Sequence, residues 1–198
     1  AMTASSGLTL SNSTLTSSGS VSLEGGSALT LASGTTITSS AGSITLGAST
    51  GSITANGALT LSSNGSITVS NTMTTAGAAT FNANSGITLA TNVTTNGATV
   101  MDADLDNNGS GEFTISSGSL STTNNALTVT ADDLVLTGTI NSGTGSTTIN
   151  VADSGSLGIG FSSGFGMNLT STELANITGT GDLNLVNGAI TFAAGSSL

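Results

Sequence analysis

A shift of 20 residues lays one part of this chain over the next. Within residues 65–101, Ile67 and Val69 recur as Ile87 and Leu89, Met73 as Val93, Gly77 as Gly97 and Phe81 as Met101. One Thr stands inside each apolar pair (Thr68, Thr88), and apolar–polar–apolar alternation is the period of a strand. Each unit therefore reads as three short strands joined by Gly, Ser and Asn turns. A unit this small cannot bury its own apolar face. Neighbouring units must stack on it, which predicts a solenoid.

The pattern extends in both directions. Leu8/Leu10, Leu15 and Val21/Leu23 return as Leu29/Leu31, Ile37 and Ile44/Leu46. Ile53 and Leu59/Leu61 follow, where the register is least marked. Beyond residue 112 come Phe113/Ile115, Leu120 and Leu127/Val129, then Leu134/Leu136, Ile140 and Ile149/Val151. Ile87 to Phe113 is longer than the usual period, so the acidic stretch 102–112 reads as an insertion that leaves the coil. The pattern blurs again over 158–178, where Thr170 and Glu173 have the spacing of a capping box for a short helical turn through Leu174 and Ile177. Strands resume at Leu183/Leu185 and Ile190/Phe192. The expectation is an all-β fold, a parallel β-helix with three short strands per coil, as one domain over 1–198 and part of a longer chain. About ten coils at a strand spacing of ~4.8 Å would make a rod on the order of 50 Å long.

Composition narrows the function. The chain has ten acidic residues and no Lys, Arg or His, for a formal charge of −10. Nothing neutralises phosphates, so nucleic acid and anionic lipid are poor partners, and divalent cations fit the charge better. No apolar run reaches the roughly 18 residues of a membrane-spanning helix. Absent Cys excludes a disulfide scaffold. With no His, Lys, Cys, Tyr or Arg, acid–base, covalent and anion-holding chemistry has few carriers, so no enzyme is expected. Hydrophobic residues still make up 36% and fall at regular spacing, which argues against a disordered low-complexity segment.

Three features remain as sites. Asp102, Asp104, Asp106, Asn108, Ser110 and Glu112 lie within DADLDNNGSGE. If Met101, Ala103 and Leu105 continue the inward alternation, the three Asp project outward together. The string has the opening of a D-x-D-x-D calcium loop, although its turn Gly is late and its Glu early. Asp102, Asp104, Asp106, Asn108 and Glu112 are the expected Ca²⁺ ligands. The alternative is a solvated acidic turn in which Asn82 and Asn84, one coil below, donate to Asp102 and Asp104. A second acidic group, Asp132/Asp133 with Asp153 one coil above Asp133, reads as turn capping. Third, Thr14-Leu15-Thr16, Thr36-Ile37-Thr38, Thr72-Met73-Thr74 and Asn92-Val93-Thr94 suggest a Thr column. Such a column resembles the ice-binding face of some antifreeze proteins, or is ordinary strand propensity.

The repeats GSITLGASTGSITANGALTL and ALTVTADDLVLTGTINSGTGSTTINV, with the tail SLGIGFSSGFGMNLTSTELANITGTGDLNL, resemble the haemagglutination-repeat segments of large bacterial exoproteins and adhesins, of which filamentous haemagglutinin is the best known. The resemblance covers nearly the whole chain and implies a right-handed parallel β-helix, export to the cell surface and service as a stalk or filament. The Asn-Pro motifs of the secretion domain of such exoproteins are missing, so the chain resembles the shaft. The expected function is structural. It would be a shaft of a secreted or cell-surface protein whose open ends meet further repeats or copies of itself. The competing class is a binding module, calcium-dependent or ice-binding.

Overall fold

The computed structural model describes residues 1–11, 14–186 and 189–193. Three parallel sheets run side by side along one axis, and the chain visits them in turn. The first face carries Met2–Ala4, Val21–Gly25, Ile44–Ala48, Ile67–Val69, Ile87–Leu89, Phe113–Ile115 and Leu134–Leu136. The second carries Gly7–Leu10, Ala28–Leu31, Ser52–Ala55, Met73–Thr75, Val93–Thr95, Ser119–Ser121, Thr139–Asn141 and Ile177–Thr178. The third carries Thr14–Ser17, Thr35–Ser39, Leu59–Ser63, Ala79–Ala83, Thr99–Asp102, Leu127–Ala131, Thr147–Val151 and Leu183–Val186. This is a parallel β-solenoid with three strands per coil.

The repeat read from the sequence sets the register. Ile67 pairs with Ile87, Met73 with Val93 and Phe81 with Met101. The weaker stretch also falls into line, with Ile53 beside Leu29 and Leu61 beside Ile37. The coil count differs from expectation: the faces hold seven or eight strands each, or about seven turns rather than ten. Dividing the length by a 20-residue period overcounts. The first-face register advances from Val21 to Ile44 and from Ile87 to Phe113, both longer steps. Residues beyond Val151 also leave the three ladders for a while. About seven levels at ~4.8 Å give a body roughly 35 Å long.

Inward side chains stack in columns. On the third face Ile37, Leu61, Phe81, Met101, Val129 and Ile149 follow one another in register, all fully buried. Burying each such side chain is worth about 1.5–3 kcal/mol, and the small outer residues add little, so the column is the main source of cohesion. The corners are closed by buried hydroxyls. Thr75 donates to Gly77 O at 2.9 Å, Ser39 and Ser63 both donate to Gly42 O at 2.7 Å, and Thr95 and Thr99 share a 2.6 Å bond. Inward-facing Thr and Ser are tolerated because each finds a partner. Coils approach so closely at the corner before the third face that a Cβ on Gly97 would lie 2.5 Å from Ala78 N. No side chain fits there.

The irregular segment expected at 158–178 is a detour. After a turn at Ala152–Ser154, strand Leu157–Ile159 is followed by Met167–Leu169, which pairs on one side of it, while Ile190–Phe192 pairs on the other. The capping box forms. Thr170 Oγ1 accepts the Glu173 N–H at 3.2 Å and Glu173 Oε2 accepts the Thr170 N–H at 3.0 Å. The helix it opens, Ser171–Ala175, stops before Ile177, because Ile177 joins the second-face ladder beside Ile140.

Candidate functional site

Asp102 ends a third-face strand between Asn82 and Thr130. Met101 and Ala103 point inward as expected. At the next residue the alternation fails: Asp104 is fully buried and Leu105 is 44% exposed. The three Asp therefore do not project outward together. The reason is local. Asp104 Oδ1 accepts the Asn108 N–H at 3.1 Å and Oδ2 accepts the Gly109 N–H at 3.0 Å, so its carboxylate replaces a strand ladder with a closed loop. Asn107 N–H adds a bond to Asp104 O, and Asn107 and Gly109 take positive φ. Outside, Asn108 Nδ2 donates to Asp106 Oδ2 at 2.9 Å. Asp106, Asn108, Ser110 and Glu112 are exposed.

The expected amide-to-carboxylate contact is missing at Asp102. Asn82 is its ladder neighbour, yet Asp102 Oδ1 is buried without a hydrogen-bond partner. Burial raises the Asp102 carboxyl above its ordinary value. A backbone N–H from Asp104 opposes this, and the Asp104 charge adds to it.

Two acids outside the expected set join the loop. A Cβ on Gly109 would lie 3.1 Å from Asp153 Oδ2 and 3.8 Å from Asp132 Oδ1. Burial, then the charges of Asp104, Asp153 and Glu112, hold the Asp132 carboxyl above the usual range. Thus Asp132, not Asp133, shares its surroundings with Asp153. Counting two residues past the Asp102–Thr130 pair would have found Asp104 and Asp132 together. Asp133 faces elsewhere and accepts the N–H groups of Leu134 and Asn168, each at 3.0 Å. Burial is the largest cause of its raised carboxyl. Ser66, Ser85, Thr88, Ser110, Thr114, Glu112 and Asp132 line a polar groove of about 370 Å³ beside the loop. Among the described residues, no three acidic side chains converge as metal ligands.

The Thr column divides. Thr14-Leu15-Thr16 and Thr36-Ile37-Thr38 lie on the third face, whereas Thr72-Met73-Thr74 and Asn92-Val93-Thr94 lie on the second. Different residues complete each array. The second face carries Thr9, Thr30, Thr54, Thr74 and Thr94 in one line. The third carries two lines, Thr14, Thr36, Thr60 and Thr80 beside Thr16, Thr38, Ser62 and Asn82, continuing after Val100 and Asp102 as Thr128/Thr130 and Thr148/Asn150. Hydroxyls and amides at ladder spacing cover this wall.

No family model, curated protein or solved structure matches this chain. Among the described residues, no helix is long and apolar enough to cross a membrane.

Proposed function

We propose that this chain is a shaft segment of a secreted or surface-anchored bacterial protein, an adhesin stalk or extracellular fibre, wound as a right-handed β-helix. The observation that carries the reading is three parallel ladders along one axis, walled outside by neutral Thr, Ser and Asn. The resemblance to haemagglutination repeats agrees with it, and parallel crossovers prefer the right hand. The work of such a chain is mechanical: length follows the number of coils, and cohesion follows the buried columns. With no Lys or Arg, trypsin-like proteases find no cleavage site. Neither an enzymatic reaction nor a required cofactor belongs to this reading. Immunogold labelling of the source cells tests it. Label outside the envelope is expected, and label confined to the cytoplasm would overturn it.

One observation favours a second reading. The third face carries two lines of Thr, Ser and Asn at ladder spacing, a regular array like that of an ice-binding face, interrupted at Val100 and Asp102. Ice shaping by the purified chain that Thr60→Tyr abolishes would establish it, and no thermal hysteresis at micromolar protein would exclude it.

A further inference from the structure

We infer that the Asn108–Gly109 step is a modification site of this chain, where Asn108 converts through a cyclic imide to aspartate and isoaspartate with water as the only co-reactant. The inference does not depend on the shaft reading.

The sequence holds five Asn-Gly steps, at 56–57, 64–65, 96–97, 108–109 and 187–188. The last lies outside the described residues. In an Asn-Gly step the backbone nitrogen reaches the preceding side-chain amide with least hindrance, because Gly carries no Cβ. Three of the other four steps sit at coil corners, where the fold opposes the reaction. Asn56 N–H donates to Leu31 O, Asn64 N–H to Ser39 O and Asn96 N–H to Thr75 O, which ties each step to the coil beneath. Gly65 N–H is spent on Gly42 O, and Asn64 Nδ2 on Ser40 O. The corner glycines are also wedged. A Cβ would lie 2.1 Å from Ser33 Oγ at Gly57, 2.7 Å from Ser43 Oγ at Gly65 and 2.5 Å from Ala78 N at Gly97. The ring, and the longer main chain of isoaspartate, have no room there.

Asn108 and Gly109 are placed differently. Both are exposed, and the nearest atom to a Cβ on Gly109 would be Asp153 Oδ2 at 3.1 Å. The nitrogen that must attack already faces a base: Gly109 N–H donates to Oδ2 of the buried Asp104 at 3.0 Å. Asp104 Oδ1 accepts the Asn108 N–H at 3.1 Å, and Asp106 Oδ2 accepts Asn108 Nδ2 at 2.9 Å, so main chain and side chain of the step are both held. In ring closure Gly109 N passes its proton to Asp104 Oδ2 and bonds to Asn108 Cγ. The Cγ–Nδ2 bond breaks, and the nitrogen leaves as ammonia, taking a proton back through solvent. Water then opens the imide at Cγ to give aspartate, or at the Asn108 main-chain carbonyl to give isoaspartate. Nothing is oxidised or reduced. Either product sets a new carboxylate beside Asp104 and Asp106, and isoaspartate lengthens the main chain inside the loop that Asp104 closes.

The test is incubation of the purified chain at neutral pH, folded and in urea, followed by pepsin digestion and mass spectrometry of each Asn-Gly peptide over time. General-base assistance is worth about 10²–10⁴-fold, so Asn108 should convert faster in the fold than in urea. Asn56, Asn64 and Asn96 should convert more slowly in the fold than in urea. Asn108→Gln should remove the product at that step. Asp104→Asn keeps a hydrogen-bond acceptor but no base, and should slow Asn108 by about tenfold or more. Hydrogen exchange at Gly109 checks that the loop stays closed in that variant. Where the loop opens, the folded and urea rates of the wild-type chain decide alone. Conversion of Asn108 no faster in the fold than in urea, or at the rate of the corner steps, would overturn the inference. An unchanged rate in a closed Asp104→Asn loop would also overturn it.

Discussion

Replacing Asp102 by Asn should stabilise the fold at neutral pH. Asp102 Oδ1 is buried without a partner, and burial lifts the carboxyl above its ordinary value. The sign follows from linkage. A carboxyl whose folded pKa exceeds its unfolded pKa binds its proton more tightly in the fold, so folded stability is greatest below the unfolded value and falls as pH rises through the folded one. At pH 7 the carboxylate is therefore a burden that the neutral amide does not carry. An unsatisfied buried polar group costs about 1–3 kcal/mol and more when it is charged, and the amide removes only the added cost of the charge. Asp102 is partly exposed and solvent screens its charge, so the low end, about 1 kcal/mol, applies. For a chain of this size that is a rise in melting temperature of roughly 2–4 °C. Thermal melts of both proteins at pH 7 and near pH 4 measure it. The gap should be present at pH 7 and shrink on acidification, as wild-type Asp102 takes up its proton. An Asn variant that melts below wild type at pH 7, or a gap of equal size at both pH values, would refute the reasoning.

Other consequences follow from the packing. Phe81→Ala empties the third-face column between Leu61 and Met101 and should cost about 3–5 kcal/mol in urea unfolding. Gly97→Ala drives a Cβ into Ala78 and should cost roughly 1–3 kcal/mol, whereas Gly19→Ala, with no neighbour within 4 Å, should leave the melt unchanged. Calcium at Asp102, Asp104, Asp106, Asn108 and Glu112 is decided by melting in chelator against millimolar Ca²⁺. Because Asp104 is buried in the loop and no three acidic side chains converge there among the described residues, no shift is expected, and a calcium-dependent rise would assign those residues as ligands.

What was legible in the sequence was whatever the repeat controls. The equivalence of Ile67 with Ile87 and of Phe81 with Met101 fixed strands, inward columns and ladder partners, since a strand's facing follows from its period of two. What escaped was decided by local competition or by counting. Asp104 looked like an outward strand residue, but its carboxylate captures the N–H groups of Asn108 and Gly109 and turns the chain inward there. The meeting of Asp132 with that loop depends on the longer coil between Ile87 and Phe113, which the 20-residue shift does not describe. The Thr tripeptides look alike, but those at 14–16 and 72–74 occupy different places in their coils and so different faces.

If length follows coil number, one whole coil can be added and half a coil cannot. Residues 67–86 span one complete step of the register, from Ile67 to the residue before its partner Ile87. Duplicating them in place should give every new strand a partner on its own face. Duplicating only 67–76 should put all later strands on the wrong faces. The measurement is urea unfolding of the two variants beside the parent. The whole-coil variant should unfold cooperatively with unfolding free energy and denaturant slope at least equal to the parent's, because it buries one more layer of the columns. The half-coil variant should lose the transition or shift it far towards low urea. Equal tolerance of both insertions, or unfolding of the whole-coil variant, would contradict the solenoid shaft.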